Sequence, residues 1–136
     1  MKRTPKKTPR LRRVLFIPDV HAPAHHPPSW NCMIRAANVF KPDEVVVLGD
    51  FADADTISAH TRTRAATHAR LSDEVKPIRS LLSQLERLGA TKLQYIMGNH
   101  EFRLERFIAD KAPAFDALIT WDSLLHLSDN GWGITP

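Results

Sequence analysis

The chain has 136 residues, a formal net charge of +4, 43% apolar residues and a quarter charged residues. That is enough for one domain with a real core, is short for two, and argues against wholesale disorder. Cys32 is the only cysteine, which excludes an internal disulfide framework and a cysteine zinc cage, and suits a reducing cytoplasm.

The positive charge is local. Residues 1–13 carry Lys2, Arg3, Lys6, Lys7, Arg10, Arg12 and Arg13 and no acid; without those seven bases the remaining twelve face fifteen acids, a net of about −3. Residues 1–12 therefore read as a disordered basic arm. It either keeps the chain soluble, the commoner use of a short basic terminus, or holds nucleic acid by its phosphates. The longest apolar runs, Val14–Pro18 and Val45–Gly49, are strand-sized, so the sequence shows neither a membrane-spanning helix nor the apolar region of a secretory signal.

Val14–Ile17 reads as a buried strand ended by Pro18. The proline-rich piece Ala22–Pro28 is expected to be a loop, with Ser29 capping a helix that runs to about Phe40 on a stripe of Trp30, Met33, Ile34, Ala37 and Phe40. Lys41-Pro42-Asp43 stops it. Val45–Leu48 is the second strand, closed by Gly49. Periodicity assigns nothing over Phe51–Arg70. Ser72 is expected to cap an amphipathic helix with Val75, Ile78, Leu81, Leu82, Leu85 and Leu88 on its apolar face, Pro77 near its first turn and Gly89 just past its end. Leu93–Met97 is the third strand. A helix over Glu101–Asp110 and another after Pro113 follow, and Trp121–Leu127 is ambiguous. The order β-α-β-α-β-α predicts an α/β domain whose mainly parallel sheet gathers its strand C-termini on one edge, where such sheets bind ligands.

Each strand runs directly into a polar cluster: Asp19 and His21, then Asp50 and Asp53, then Asn99, His100 and Glu101. Singly, Asp-x-His, Gly-Asp-x-x-Asp and Gly-Asn-His-Glu are as easily turns after strands. Three turns, however, have no need of metal-competent side chains at the same edge. Carboxylates, imidazoles and an amide suit Mn²⁺, Fe, Zn²⁺ or Ni²⁺. A carboxylate such as Asp50 can bridge two ions, which would activate a hydroxide for in-line displacement while His100 protonates the leaving oxygen.

The series, in this order and each member behind a strand, resembles the calcineurin-like metallophosphoesterase family from about Val14 to the end of the chain. Pro18-Asp19-x-His21-x-Pro23, Lys41-Pro42-Asp43-Glu44 and Gly98-Asn99-His100-Glu101-x-Arg103-Leu104-Glu105-Arg106 are similar to the phosphoesterases of bacteriophages and prophages. The resemblance implies a β-sandwich flanked by helices and a centre of two divalent ions, Mn²⁺ foremost. Asp19 and His21 would bind the first ion and Asp50 both. Asn99 would bind the second and touch the substrate phosphate, and His100 would donate a proton. Asp53 and Glu101 would orient imidazole or backbone donors. Arg103 would touch the substrate phosphate, while at least one of Arg103 and Arg106 would pair at the surface with Glu105 or Asp110. His25 and His26 read as solvated loop residues, and His60, His68 and His126 as structural or surface groups.

The family pattern continues through an isolated His and a Gly-His-x-His run on a second sheet, which this sequence lacks. The expectation is therefore the N-terminal half of a metallophosphoesterase domain, its site completed by a missing C-terminal half, a partner chain or a dimer. The expected activity is metal-dependent hydrolysis of a phosphomono- or diester, with nucleotides or nucleic acid as first candidates, in the cytoplasm of a bacterial host and away from membranes. The competing expectation is an inactive remnant that binds metal or nucleic acid. Asn130–Pro136 reads as a turn and the start of another strand.

Overall fold

The computed structural model describes residues 11–58 and 69–136. Lys2, Arg3, Lys6, Lys7, Arg10, His60 and His68 lie outside the described residues. Four strands, β1 (Val14–Ile17), β2 (Glu44–Leu48), β3 (Lys92–Ile96) and β4 (Trp132–Thr135), form one wholly parallel sheet in the order β1-β2-β3-β4. The register pairs Ile17 with Val47, Val47 with Tyr95, and Tyr95 with Ile134. Between the strands run α1 (Pro27–Phe40), α2 (Leu71–Glu86), α3 (Phe102–Lys111) and the short α4 (Trp121–Leu125).

A parallel sheet that adds each strand on the same side, through right-handed crossovers, receives its helices on one face. The burial follows that rule. Ile17, Val45, Val47, Tyr95 and Trp132 point into the core and meet Trp30 of α1 and Val75, Ile78, Leu82 and Leu85 of α2. An edge-to-face row of rings, Trp30–Phe51–Tyr95–Trp132, crosses this layer at centroid spacings of 5.9, 6.0 and 6.2 Å. The two indole N–H groups find side-chain oxygens on α2, Gln84 for Trp30 and Glu86 for Trp132. On the other face Val46 is buried yet stands apart from the core cluster, and Phe16 and Leu48 are 58% and 45% exposed.

Several boundaries differ from those expected. α1 starts at Pro27 instead of after Ser29, because Pro27 and Pro28 fit a first turn that needs no N–H. His26 occupies the cap position, and its Nδ1 lies 2.8 Å from Ser29 Oγ. Phe40, assigned to the buried stripe, is 43% exposed. α2 starts at Leu71 instead of after Ser72, and Asp73 Oδ2 accepts from Arg70 N at 3.2 Å. That start leaves Pro77 inside the helix, beyond its first turn. The segment after Pro113 is a single 3-10 turn, Pro113–Phe115. The helix forms later, at Trp121, where Thr120 and Ser123 exchange reciprocal side-chain-to-backbone bonds of 3.0 and 3.1 Å. The final segment is the fourth strand, parallel to β3.

Candidate active site

The three strand tips meet because their loops are stitched together by backbone bonds. His21 N donates to Asp50 O at 2.9 Å, Ala22 N to Phe51 O at 2.8 Å, and Asp53 N to Ala22 O at 2.9 Å. The glycines allow the second and third tips to touch. A Cβ on Gly49 would lie 2.8 Å from Gly98 Cα, and one on Gly98 would collide with the Asp50 carboxylate and backbone N. Asp19, His21 and Asp50 hold φ of 49°, 50° and 50°, a left-handed conformation that non-glycine residues adopt at a cost of about 1 kcal/mol each.

Glu101 is the brace. It is 1% exposed. Its Oε1 accepts from Phe51 N at 2.8 Å, Ala52 N at 3.0 Å and Tyr95 Oη at 2.9 Å. Its Oε2 accepts from Asp50 N and Gly98 N, both at 2.9 Å. Five donors on two oxygens use the group wholly as an acceptor. Burial, with Glu101 beside it, holds the Tyr95 phenol well above its ordinary pKa. Trp121 Nε1 donates to the Glu101 carbonyl at 2.7 Å and so ties α4 to the same point. Tyr95 and Trp121 carried no site role in the sequence reading. The signal was there for Tyr95, since a tyrosine pointing inward from a strand must find a partner for its hydroxyl.

Around the brace, Asp19, His21 and Asp50 each place a ligand atom within 4.8 Å of the other two, and so do His21, Asp53 and His100. The second group is already joined internally. Asp53 Oδ1 lies 3.2 Å from His21 Nδ1 and 3.1 Å from His100 Nδ1. The Asp53 carbonyl also takes His100 Nδ1 at 2.9 Å, and the two imidazoles stack edge to face at 4.5 Å. With its proton held on Nδ1 by Asp53, His21 leaves the lone pair of Nε2 free to ligate a cation, the usual carboxylate–histidine arrangement behind a metal. Asp50 has one oxygen engaged, Oδ1 accepting from His100 N at 2.9 Å. The donor set at Asp19, His21 and Asp50, two carboxylates and an imidazole, therefore fits a divalent ion of the oxygen- and nitrogen-preferring kind.

Asn99 is exposed at the third tip. Both arginines after it fold back onto the site, so neither makes the surface pair with Glu105 or Asp110 that was expected of at least one. Arg103 Nη1 donates to Asp53 O at 2.7 Å, and Nη2 stands 3.0 Å from His100 Nε2. Arg106 Nη2 donates to Asn99 O at 3.2 Å. Asp110 pairs instead with Lys111 at 2.7 Å. At the far end of the sheet Arg12 pairs with Glu44 at 2.9 Å and Arg13 with Asp43 at 3.4 Å, so these two basic residues are bound to the body.

Fold and site together define a parallel α/β domain with a metal-competent carboxylate–imidazole edge. The model of the calcineurin-like phosphoesterase family matches residues 12–133, and the chain belongs to that family. No curated protein and no solved structure matches it. The family is one of metal-dependent phosphoester hydrolases. Among the described residues no helix is long and apolar enough to cross a membrane.

Proposed function

We propose that the chain carries the first part of a two-ion centre for hydrolysis of phosphoesters, with nucleotides or nucleic acid as the substrate class and Mn²⁺ as the preferred metal. The observation that carries the reading is the convergence of Asp19, His21 and Asp50 within 4.8 Å at the strand tips. Asp19, His21 and Asp50 would hold the first ion, and Asp50 with Asn99 the second. Bound ions supply Lewis acidity toward phosphoryl oxygens and a water of lowered pKa. The chain's own residues position and protonate. Asp53 fixes the His100 ring through Nδ1, which leaves Nε2 to hand a proton to the leaving oxygen. Arg103 Nη2 now donates to that Nε2, which therefore carries no proton; once Arg103 turns to phosphoryl oxygens, which its planar fork suits in pairs, Nε2 takes up a proton from solvent and passes it to the leaving oxygen.

Phosphoester chemistry of the phage and prophage kind, in a host cytoplasm, is part of this reading. So is completion of the ion shells by a further segment or partner chain packed against the exposed Phe16 and Leu48. The test is cleavage of a chromogenic bis-aryl phosphate with and without Mn²⁺, by the chain alone and with the C-terminal continuation supplied. Metal-dependent turnover that falls about a hundredfold or more in His100→Ala supports it. Turnover indifferent to metal and to that substitution sinks it. An inactive remnant would bind metal or nucleic acid with no turnover under either condition.

A further inference from the structure

Two guanidinium groups stand at the strand tips, both from the first two turns of α3. Arg103 and Arg106 are three residues apart, which places them side by side on one helix face. Neither forms an ion pair among the described residues, although Glu105 and Asp110 lie on the same helix and Asp110 pairs with Lys111. Both are held by neutral groups instead. Arg103 Nη1 donates to the Asp53 carbonyl at 2.7 Å and Nη2 to His100 Nε2 at 3.0 Å, while Arg106 Nη2 donates to the Asn99 carbonyl at 3.2 Å. A guanidinium carries five N–H donors, so Arg106, which is exposed, keeps most of them without a partner among the described residues.

A carbonyl orients a guanidinium without cancelling its charge, as a carboxylate would. Both arginines are thus fixed at the tip and left positive, ready for an anion. One of them has a task in the proposed hydrolysis, where Arg103 turns to the phosphoryl group under attack. That group needs a single planar fork, so Arg106 remains for a second anionic group. The anchors of the two side chains on the third tip, His100 and Asn99, are consecutive residues. Forks held this close match two phosphoryl groups joined through one bridging oxygen better than the more widely spaced phosphates along a strand.

We propose that the substrate carries a second phosphoryl group directly beside the one attacked, as in the diphosphate of a nucleotide, with Arg103 gripping the first and Arg106 the second. Which of the two groups is attacked rests on the hydrolytic reading above; the double grip is a property of the two arginines and is read by binding. Arg106 is then a specificity-determining residue, selecting paired phosphoryl groups over single ones.

The experiment is a titration of the full chain, followed through the backbone amide signals of Asn99 and Arg103, with excess Mg²⁺ to neutralise Asp19 and Asp50 and again without it. The probes are methylphosphonate, with one phosphoryl group, methylenebisphosphonate, with two on one bridging carbon, and propane-1,3-bisphosphonate, with two held further apart. With Mg²⁺, methylenebisphosphonate is expected to bind about tenfold or more tighter than methylphosphonate. That gain should shrink to about twofold in Arg106→Gln and be partly kept in Arg106→Lys, which retains the charge but not the fork. It should be unchanged in Arg35→Gln, which removes the same charge from the second half of α1. Were Arg106 only to steady Asn99, both probes would weaken together and their ratio would hold. No saturable binding at these signals, a ratio that survives Arg106→Gln, or an equal gain with propane-1,3-bisphosphonate overturns the inference. A gain that depends on Arg106 but is indifferent to Mg²⁺ would keep the double grip and count against the hydrolytic reading alone.

Discussion

Glu101 shows how one side chain can fix a whole site. Its neighbours in sequence suggest a helix-start residue, yet its carboxyl gathers backbone N–H groups from the second and third strand tips and the phenol of β3. Glu101→Gln keeps the shape but turns a donor toward buried donors. We expect it to cost about 2–4 kcal/mol in urea denaturation and to weaken Mn²⁺ binding, because Asp50 N loses its anchor. Glu101→Asp, one methylene short, should recover little. Tyr95 gives the pH dependence. Its folded pKa lies above its unfolded one, so its contribution to stability is complete below about pH 10 and is lost as pH rises toward the folded value. It is the only tyrosine in the chain, so phenolate absorbance reads its titration unmixed. In Tyr95→Phe we expect lower stability near neutrality and a flatter decline above about pH 10; an unchanged alkaline slope would contradict the assignment.

At the scale of elements, the strand tips depend on two glycines that pack back to back. Gly98→Ala drives a methyl into the Asp50 carboxylate and should destabilise the chain by about 2–4 kcal/mol. Gly131→Ala meets nothing within 4 Å and pays only for its φ of 83°, about 1 kcal/mol. Equal losses in the two variants would show that steric contact at Gly98 is not the constraint. These positions also mark what the sequence could show. The strands, the α2 stripe and the meeting of three polar clusters were legible because apolar runs and turn residues are local signals. Helix starts were less so: Pro27 and Pro28 serve equally in a loop or in a first turn, and only packing decides. The return of Arg103 and Arg106 onto the site could not be read from spacing, because Glu105 and Asp110 are also within reach of a helix surface.

At the scale of the molecule, the described helices pack their core residues against one face of the sheet. The parallel strand order β1-β2-β3-β4 leaves Phe16 and Leu48 outside the buried core. An apolar strip of this kind favours association. Phe16→Ser with Leu48→Ser should lower the apparent mass in sedimentation at high concentration while shifting stability by only about 0.5 kcal/mol per site; unchanged association would place the contact elsewhere. The same topology sets Asp19, His21 and Asp50 on one edge, where the account stands or falls. The most direct measurement is calorimetric titration of Mn²⁺ into the chain and into Asp50→Asn, with thermal unfolding followed in parallel. Mn²⁺ binding is expected to raise the melting temperature and to be lost in Asp50→Asn although the variant stays folded. Undiminished Mn²⁺ binding by a folded Asp50→Asn would contradict it.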